Sequence, residues 1–214
     1  MHTHPPGMLF VATDVAATDD ADFNAWYDQE HVEERARIEG FTSAARYECL
    51  RGGKRYLGLY RTRSLDAFTS AAYQAAFGQQ TAWSVTNLGR MVSPMRRVCA
   101  VSAVVGQGSG SCLSVLTLQP GTDVARASQL GQALAAQPGF VQSYLLEPNA
   151  TLSTPLPNEA TEGRQLQPLL VIETSSPEAN DTALAQAQAV LGAAVQSSAC
   201  YALKWKLFSS ELAR

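Results

Sequence analysis

Apolar and polar residues change period several times along the chain, and the changes mark out elements. Met8 to Val15 is an apolar run of strand length, and Ala21 to Ile38 repeats as a helix behind two N-cap candidates, Asp19 and Asp20. Gly40 stops that helix. Phe41 to Leu50 alternates as a strand, turns through Arg51-Gly52-Gly53-Lys54 and returns as Arg55 to Thr62, which predicts a hairpin. Ser64 caps a helix predicted through Phe77, a less regular stretch carries Thr81, Trp83 and Arg90, and Met95 to Val105 is strand-like. The order β-α-β-β-α-β is that of a ferredoxin-like unit.

The same order follows Gly106-Gln107-Gly108-Ser109-Gly110-Ser111, a segment with linker composition. Leu113 to Leu118 resembles Leu9 to Asp14, Asp123 to Gln137 predicts a helix, and Gly139-Phe140 repeats Gly40-Phe41. Strand, helix and strand follow at Gln167 to Glu173, Pro177 to Val195 and Ala199 to Phe208. The repeat rests on element order and the shared Gly-Phe. It divides the chain into a first unit over 1–105, a linker over 106–111 and a second, degenerate unit over 112–214. A single unit leaves one sheet face apolar and bare, so the fold class expected is α+β, with two fused units closing their bare faces as a monomeric pseudo-dimer. Further pairing of two such chains stays open. The second hairpin connection, about Glu147 to Arg164, is long enough either to arch over a pocket mouth or to lie disordered.

Composition narrows the function classes. The 214 residues are 46% hydrophobic and only 16% charged, and 16 Lys+Arg against 19 Asp+Glu leave a formal charge of −3, so no basic field favours nucleic acid. The apolar stretch from Val98 to Val105 is broken by Ser102 and falls well short of the ~20 residues a membrane span needs. The N-terminal MHTHPPGMLF lacks a basic region, and the reading is cytoplasmic. Cys49, Cys99, Cys112 and Cys200 have no metal-finger spacing and read as thiols packed in strands. Walker, G-x-G-x-x-G, H-E-x-x-H and G-x-S-x-G motifs are absent from the sequence.

Candidate chemistry concentrates in the first helix. At 100° per residue, Phe23, Tyr27, Glu30, Glu34 and Ile38 share a stripe flanked by Trp26 and His31. Carboxylates among aromatics mean either that the stripe faces a partly wet cavity or that the helix bends near Asp28. His2 and His4 lie in the N-terminal tail, which leaves His31 as the histidine available for proton transfer. Glu34 at i+3 and Tyr27 at i−4 lie on its side of the helix, and a neighbouring carboxylate is expected to raise its pKa. The alternative is a histidine held in a surface salt bridge. Aligning the two Gly-Phe pairs sets Leu130 opposite His31, so the polar cluster is not repeated. On the strands, Arg46 is placed to bind a carboxylate or enolate. Tyr47, Tyr60 and Trp83 are placed to line a cavity made roomy by Ala44, Ala45 and Gly58, with Asn87 and Arg90 near one end. Ordinary strand and core packing remains the alternative for all of them.

The run FNAWYDQEHVEERARIEGFTSAARY, followed by YLGLYRTRSLDAFTSAAYQAA and TAWS, resembles the EthD-like branch of the dimeric α+β barrel superfamily. The resemblance covers about Met8 to Val101, and the second half matches only in its order of elements. It implies a pocket between helices and sheet in each half, with the Glu30-His31 pair in the first half alone. Members usually assemble from two chains. The superfamily includes cofactor-free monooxygenases, polyketide cyclases, muconolactone isomerase and haem-binding proteins, so it does not select a reaction.

The expectation is a cofactor-independent acid–base enzyme of lyase, isomerase or cyclase type, acting on a small apolar carbonyl or phenolic compound. No cofactor or metal is expected. His31 would move the proton, Glu34 or Glu30 would orient it, Tyr27 and Arg46 would stabilise negative charge, and Phe23, Trp26, Tyr47, Tyr60 and Trp83 would line the site. The alternatives are a small-molecule carrier, a haem protein with His31 as axial ligand, a cofactor-free monooxygenase and a purely structural protein.

Overall fold

A computed structural model describes residues 4–213. His2 lies outside the described residues, and His4 is exposed, with Nε2 3.7 Å from Asp66 Oδ1. β1 (Gly7–Asp14) leads to α1 (Asp20–Trp26), a π-helical turn (Tyr27–His31) and α2 (Val32–Arg37). β2 (Phe41–Arg51) and β3 (Tyr56–Thr62) form the expected hairpin. The helix expected from Ser64 is split. Ser64 caps a 3-10 turn (Leu65–Thr69), and Ser70 recaps α3 (Ala71–Gly78) by accepting from the Tyr73 backbone N–H. The stretch read as irregular is α4 (Ala82–Gly89), capped by Thr81. Its Trp, Ser, Thr, Asn and Gly are weak helix formers, so tertiary packing and the cap supply what propensity does not.

β4 (Val92–Gly106) is followed by β5 (Cys112–Leu118), α5 (Val124–Leu134), β6 (Phe140–Pro148), β7 (Leu169–Thr174), α6 (Pro177–Leu191) and β8 (Val195–Phe208). The segment with linker composition is anchored. The Gly110 N–H donates to Glu173 Oε2 at 2.8 Å, and a Cβ at Gly110 would sit 2.5 Å from Thr174 O, so the chain passes there only as glycine.

The strands close in the order β1-β3-β2-β8-β5-β7-β6-β4. Each half therefore contributes the antiparallel order β4-β1-β3-β2 or its counterpart β8-β5-β7-β6, and the halves join by β2 against β8 and β4 against β6. Side chains alternate through the sheet. One set, including Phe10, Tyr47, Leu57, Leu113, Tyr144 and Val171, fills the barrel from both halves. The opposite faces pack under helices, giving one outer core in the first half around Phe23, Trp26, Phe41 and Phe68 and another in the second around Leu130, Leu134, Leu170 and Leu184. All four cysteines lie in strands as free thiols, with Cys49 half-buried and the others buried. Among the described residues, no helix is long and apolar enough to cross a membrane.

Candidate functional site

The first-half outer core contains a cavity of about 330 Å³ between the helices and the sheet. Its apolar wall comes from strands and helices alike, including Leu9, Val11, Leu88 and Met91, and its polar groups are His31, Arg35, Tyr60, Tyr73, Gln80 and Arg96. Leu156 and Pro157 close it from the second half.

The π turn decides which residues of the first helix reach this cavity. The Val32 N–H donates to Tyr27 O, five residues back, so one extra residue is accommodated and every later side chain is rotated relative to a regular helix. His31 and Arg35 consequently take the inward positions that a regular repeat assigns to Glu30 and Glu34. The mixed stripe allows either a partly wet cavity or a bend near Asp28, and the π turn interrupts the regular helix at that point.

His31 is 7% exposed, and its ring lies 4.2 Å from the Trp26 ring and edge-on to Tyr27 and Tyr60. Its Nδ1 is buried without a hydrogen-bond partner, while the imidazole forms part of the cavity wall. The expected carboxylate partner is not there. Burial, reinforced by the positive charge of Arg35, pushes the His31 pKa well below its ordinary 6.5, the opposite of the direction expected from sequence. The ring is neutral at pH 7.

Glu30 instead accepts from Thr81 Oγ1 at 2.6 Å and Ser84 Oγ at 2.9 Å, while Ser84 Oγ accepts from Trp26 Nε1 at 3.0 Å. These bonds tie α4 to the π turn. Glu34 lies outside the cavity wall, half-buried, with its nearest cation Arg35 at 3.9 Å. Burial raises its pKa against the lowering effect of Arg35.

Tyr27 and Tyr60 form a buried pair, with Tyr60 Oη donating to Tyr27 Oη at 3.3 Å. Burial raises the pKa of both, so both keep their protons at neutral pH. Of the two, Tyr60 lines the cavity. Gly58 does not leave space for a ligand: a Cβ there would lie 2.7 Å from the Tyr60 hydroxyl, so the glycine makes room for the tyrosine itself.

Arg46 is buried but outside the cavity wall. It donates to Asp28 Oδ1 at 2.6 Å, to Asn24 O at 3.3 Å and to Asn24 Oδ1, and its guanidinium lies 5.2 Å from the Tyr27 ring centre. Phe23 and Trp26 are fully buried in the outer core rather than exposed to the cavity. Tyr47 points into the barrel, on the opposite sheet face. Trp83 also stays out of the wall. Trp83 Nε1, Asn87 Nδ2 and Arg90 Nη1 converge on Asp22 at 3.0, 3.1 and 2.6 Å, binding α4 to α1.

Sequence reasoning did not select Arg35, Arg96, Tyr73 or Gln80. Arg35 stands four residues after His31, a spacing visible in the chain, but its inward orientation depends on the π turn. Arg96 lies in β4, and its role depends on a loop from the other half. Among the described residues, no group of three or more His, Cys, Asp and Glu side chains is arranged to hold a metal ion.

No family model and no curated protein matches the chain. Solved structures do match, over nearly its whole length. An anthrone oxidase-like protein aligns at 15% identity and TM-score 0.62, covering 98% of this chain and 95% of its own. A mutant chlorite dismutase from Candidatus Nitrospira defluvii aligns at 10% identity and TM-score 0.53, covering 95% and 93%. A heme-binding protein from Thermus thermophilus aligns at 10% identity and TM-score 0.52, covering 93% and 91%. These are dimeric α+β barrel proteins, and at such identities the likeness defines the fold alone: the chain has the dimeric α+β barrel fold.

Proposed function

We propose that this chain is a cofactor-independent acid–base enzyme of isomerase, lyase or cyclase type, acting on a small, largely apolar carbonyl or phenolic compound. The observation that carries this reading is His31, a neutral imidazole in the wall of a mostly apolar cavity on a π turn. A neutral ring can take a proton from a substrate carbon. The resulting imidazolium, disfavoured by burial and by Arg35, is a strong acid that returns the proton at another atom, the net requirement of an isomerisation. Arg35 and the Tyr60 hydroxyl stabilise the negative charge left on the substrate meanwhile. Glu30 acts as a positioning residue for the π turn, and Tyr27 positions Tyr60.

The reading includes descent by tandem duplication from an EthD-like ancestor, supported by the shared strand order of the two halves. It also includes a monomeric working state, supported by a barrel that closes within one chain. Native mass spectrometry at the mass of one chain tests the latter, and a dimer mass would overturn it.

Catalysis is tested by incubating the protein with a panel of apolar ketones in deuterated water and following loss of α-proton signals by NMR. Exchange is expected with the native protein and should slow by ~10²-fold or more in His31→Gln. Equal exchange in the folded variant would remove His31 from the mechanism, and no exchange across the panel would overturn the enzymatic reading.

One observation favours a second reading, carriage without chemistry: His31 Nδ1 lacks the acceptor that commonly orients a catalytic imidazole. The carrier reading expects ligand binding to survive in His31→Gln. The same orphaned nitrogen argues against haem, which some proteins of this fold hold. An axial histidine is typically fixed through its second nitrogen, and here no described residue accepts from Nδ1.

A further inference from the structure

Among the described residues, the cavity wall contains two guanidinium groups and no carboxylate. Arg35 is 6% exposed and Arg96 is 4% exposed, so both charges have lost most of their water. A buried cation of this kind is costly unless an anion pairs with it. Among the described residues, the Arg96 guanidinium donates to neutral acceptors: Leu152 O at 2.9 Å, Thr154 O at 3.0 Å, Thr154 Oγ1 at 3.2 Å and Tyr73 Oη at 3.0 Å. Glu159 approaches its backbone N–H at 3.2 Å, but that carboxylate is already shared by Arg97 and Arg164 at 2.6 and 2.7 Å.

Arg35 is less satisfied still. Its Nη2 reaches Ala76 O at 3.5 Å, the outer limit of a hydrogen bond, and the partly exposed Glu34 carboxylate at 3.9 Å. Its Nε is buried with no partner. Most of the five donors of this guanidinium therefore have no acceptor among the described residues. The surrounding wall is apolar, and Phe77 and Val85 on it are also part-exposed to solvent, at 45% and 57%.

We propose that this cavity selects an organic monoanion, a carboxylate on an apolar ring-sized body, with Arg35 as the pairing cation. The guanidinium, paired only with the distant and partly exposed Glu34 among the described residues, supplies recognition of the charge, and the apolar wall accepts the body. This deepens the proton-transfer reading by naming the substrate class of the same cavity, and it rests on that reading only for the claim that the ligand reacts. The binding itself is independent of turnover.

The experiment is calorimetric titration of the full chain with 2-naphthoate and, separately, with 2-naphthamide, which have nearly the same shape and differ in charge. The native protein is expected to bind naphthoate about tenfold or more tightly than naphthamide, the scale of a charge-assisted hydrogen-bonded pair. Arg35→Gln should abolish that preference by weakening naphthoate far more than naphthamide, and Arg35→Lys should retain part of it. His31→Gln should keep the preference even where it loses proton exchange, so the two proposals fail separately. Equal affinity for both compounds, binding of neither, or a preference surviving in Arg35→Gln would overturn the assignment. Should Arg35→Gln fail to fold, Arg35→Lys decides: a preference undiminished in that variant would overturn the assignment to Arg35.

Discussion

His31 shows how completely a neighbourhood can reverse the chemistry expected of a residue. In sequence it lies between Glu30 and Glu34, which suggests a raised pKa. In the fold both carboxylates turn away, and the ring meets Trp26, Tyr27, Tyr60 and Arg35. The consequence can be measured through stability. Between the lowered folded pKa and 6.5, the unfolded chain binds a proton at this site that the folded chain does not. Stability should therefore fall as pH drops below about 6.5, with His31 contributing up to about 1.4 kcal/mol per pH unit until its lowered folded pKa is passed. Denaturant unfolding over that window should show a shallower fall for His31→Gln, and identical slopes would contradict a neutral buried ring. Tyr60→Phe removes one neutral hydrogen bond to Tyr27 and should cost about 1 kcal/mol by the same measurement. Arg46 and Tyr47 mark the limit of residue-level reading. Strand alternation puts them on opposite faces, as observed, but it does not say which face borders the cavity or that Asp28 and Asn24 already occupy the arginine.

At the level of elements, the helix before Gly40, the first hairpin and the strands of both halves are legible because their apolar periods are long and their stops are glycines. The π turn is not. The bonds from Thr81 and Ser84 to Glu30 hold it from α4, which sequence reading did not assign as a helix. The sequence of the segment after β6 fits either a lid or a disordered loop. In the structure it is a strap across β4: Ser153 Oγ accepts from the Val98 N–H at 3.0 Å, Asn158 donates to Gly89 O at 3.0 Å, and Glu159 binds Arg97 and Arg164. Glu159→Ala leaves two guanidiniums without their shared carboxylate and should destabilise the protein by about 3 kcal/mol. Hydrogen exchange should then accelerate at residues 152–159 before it does in the barrel strands. Unchanged protection there would mean that the strap is held by its backbone bonds alone.

For the molecule as a whole, closure of the barrel makes the two halves interdependent. β2 needs β8, β4 needs β6, and the interior side chains of each half are covered only by those of the other. Residues 1–108 and 109–214 expressed separately should not give folded monomers, and mixing them should restore native circular dichroism. A monodisperse folded monomer from either fragment, seen by size exclusion and circular dichroism, would contradict this dependence. The pattern of apolar residues was sufficient to determine the α+β class, the repeated element order, the sheet faces and the first helix as the place where unusual side chains gather. Those properties follow from periodicity, which is local and written in the chain. Only the tertiary structure decided that His31 and Arg35 face inward and Glu30 and Glu34 do not. It alone showed that Gly58 serves Tyr60, and that a loop of the second half, through Leu156 and Pro157, completes a cavity in the first. Each depends on a one-residue shift of helical phase or on contacts between residues far apart in sequence, and neither leaves a periodic trace.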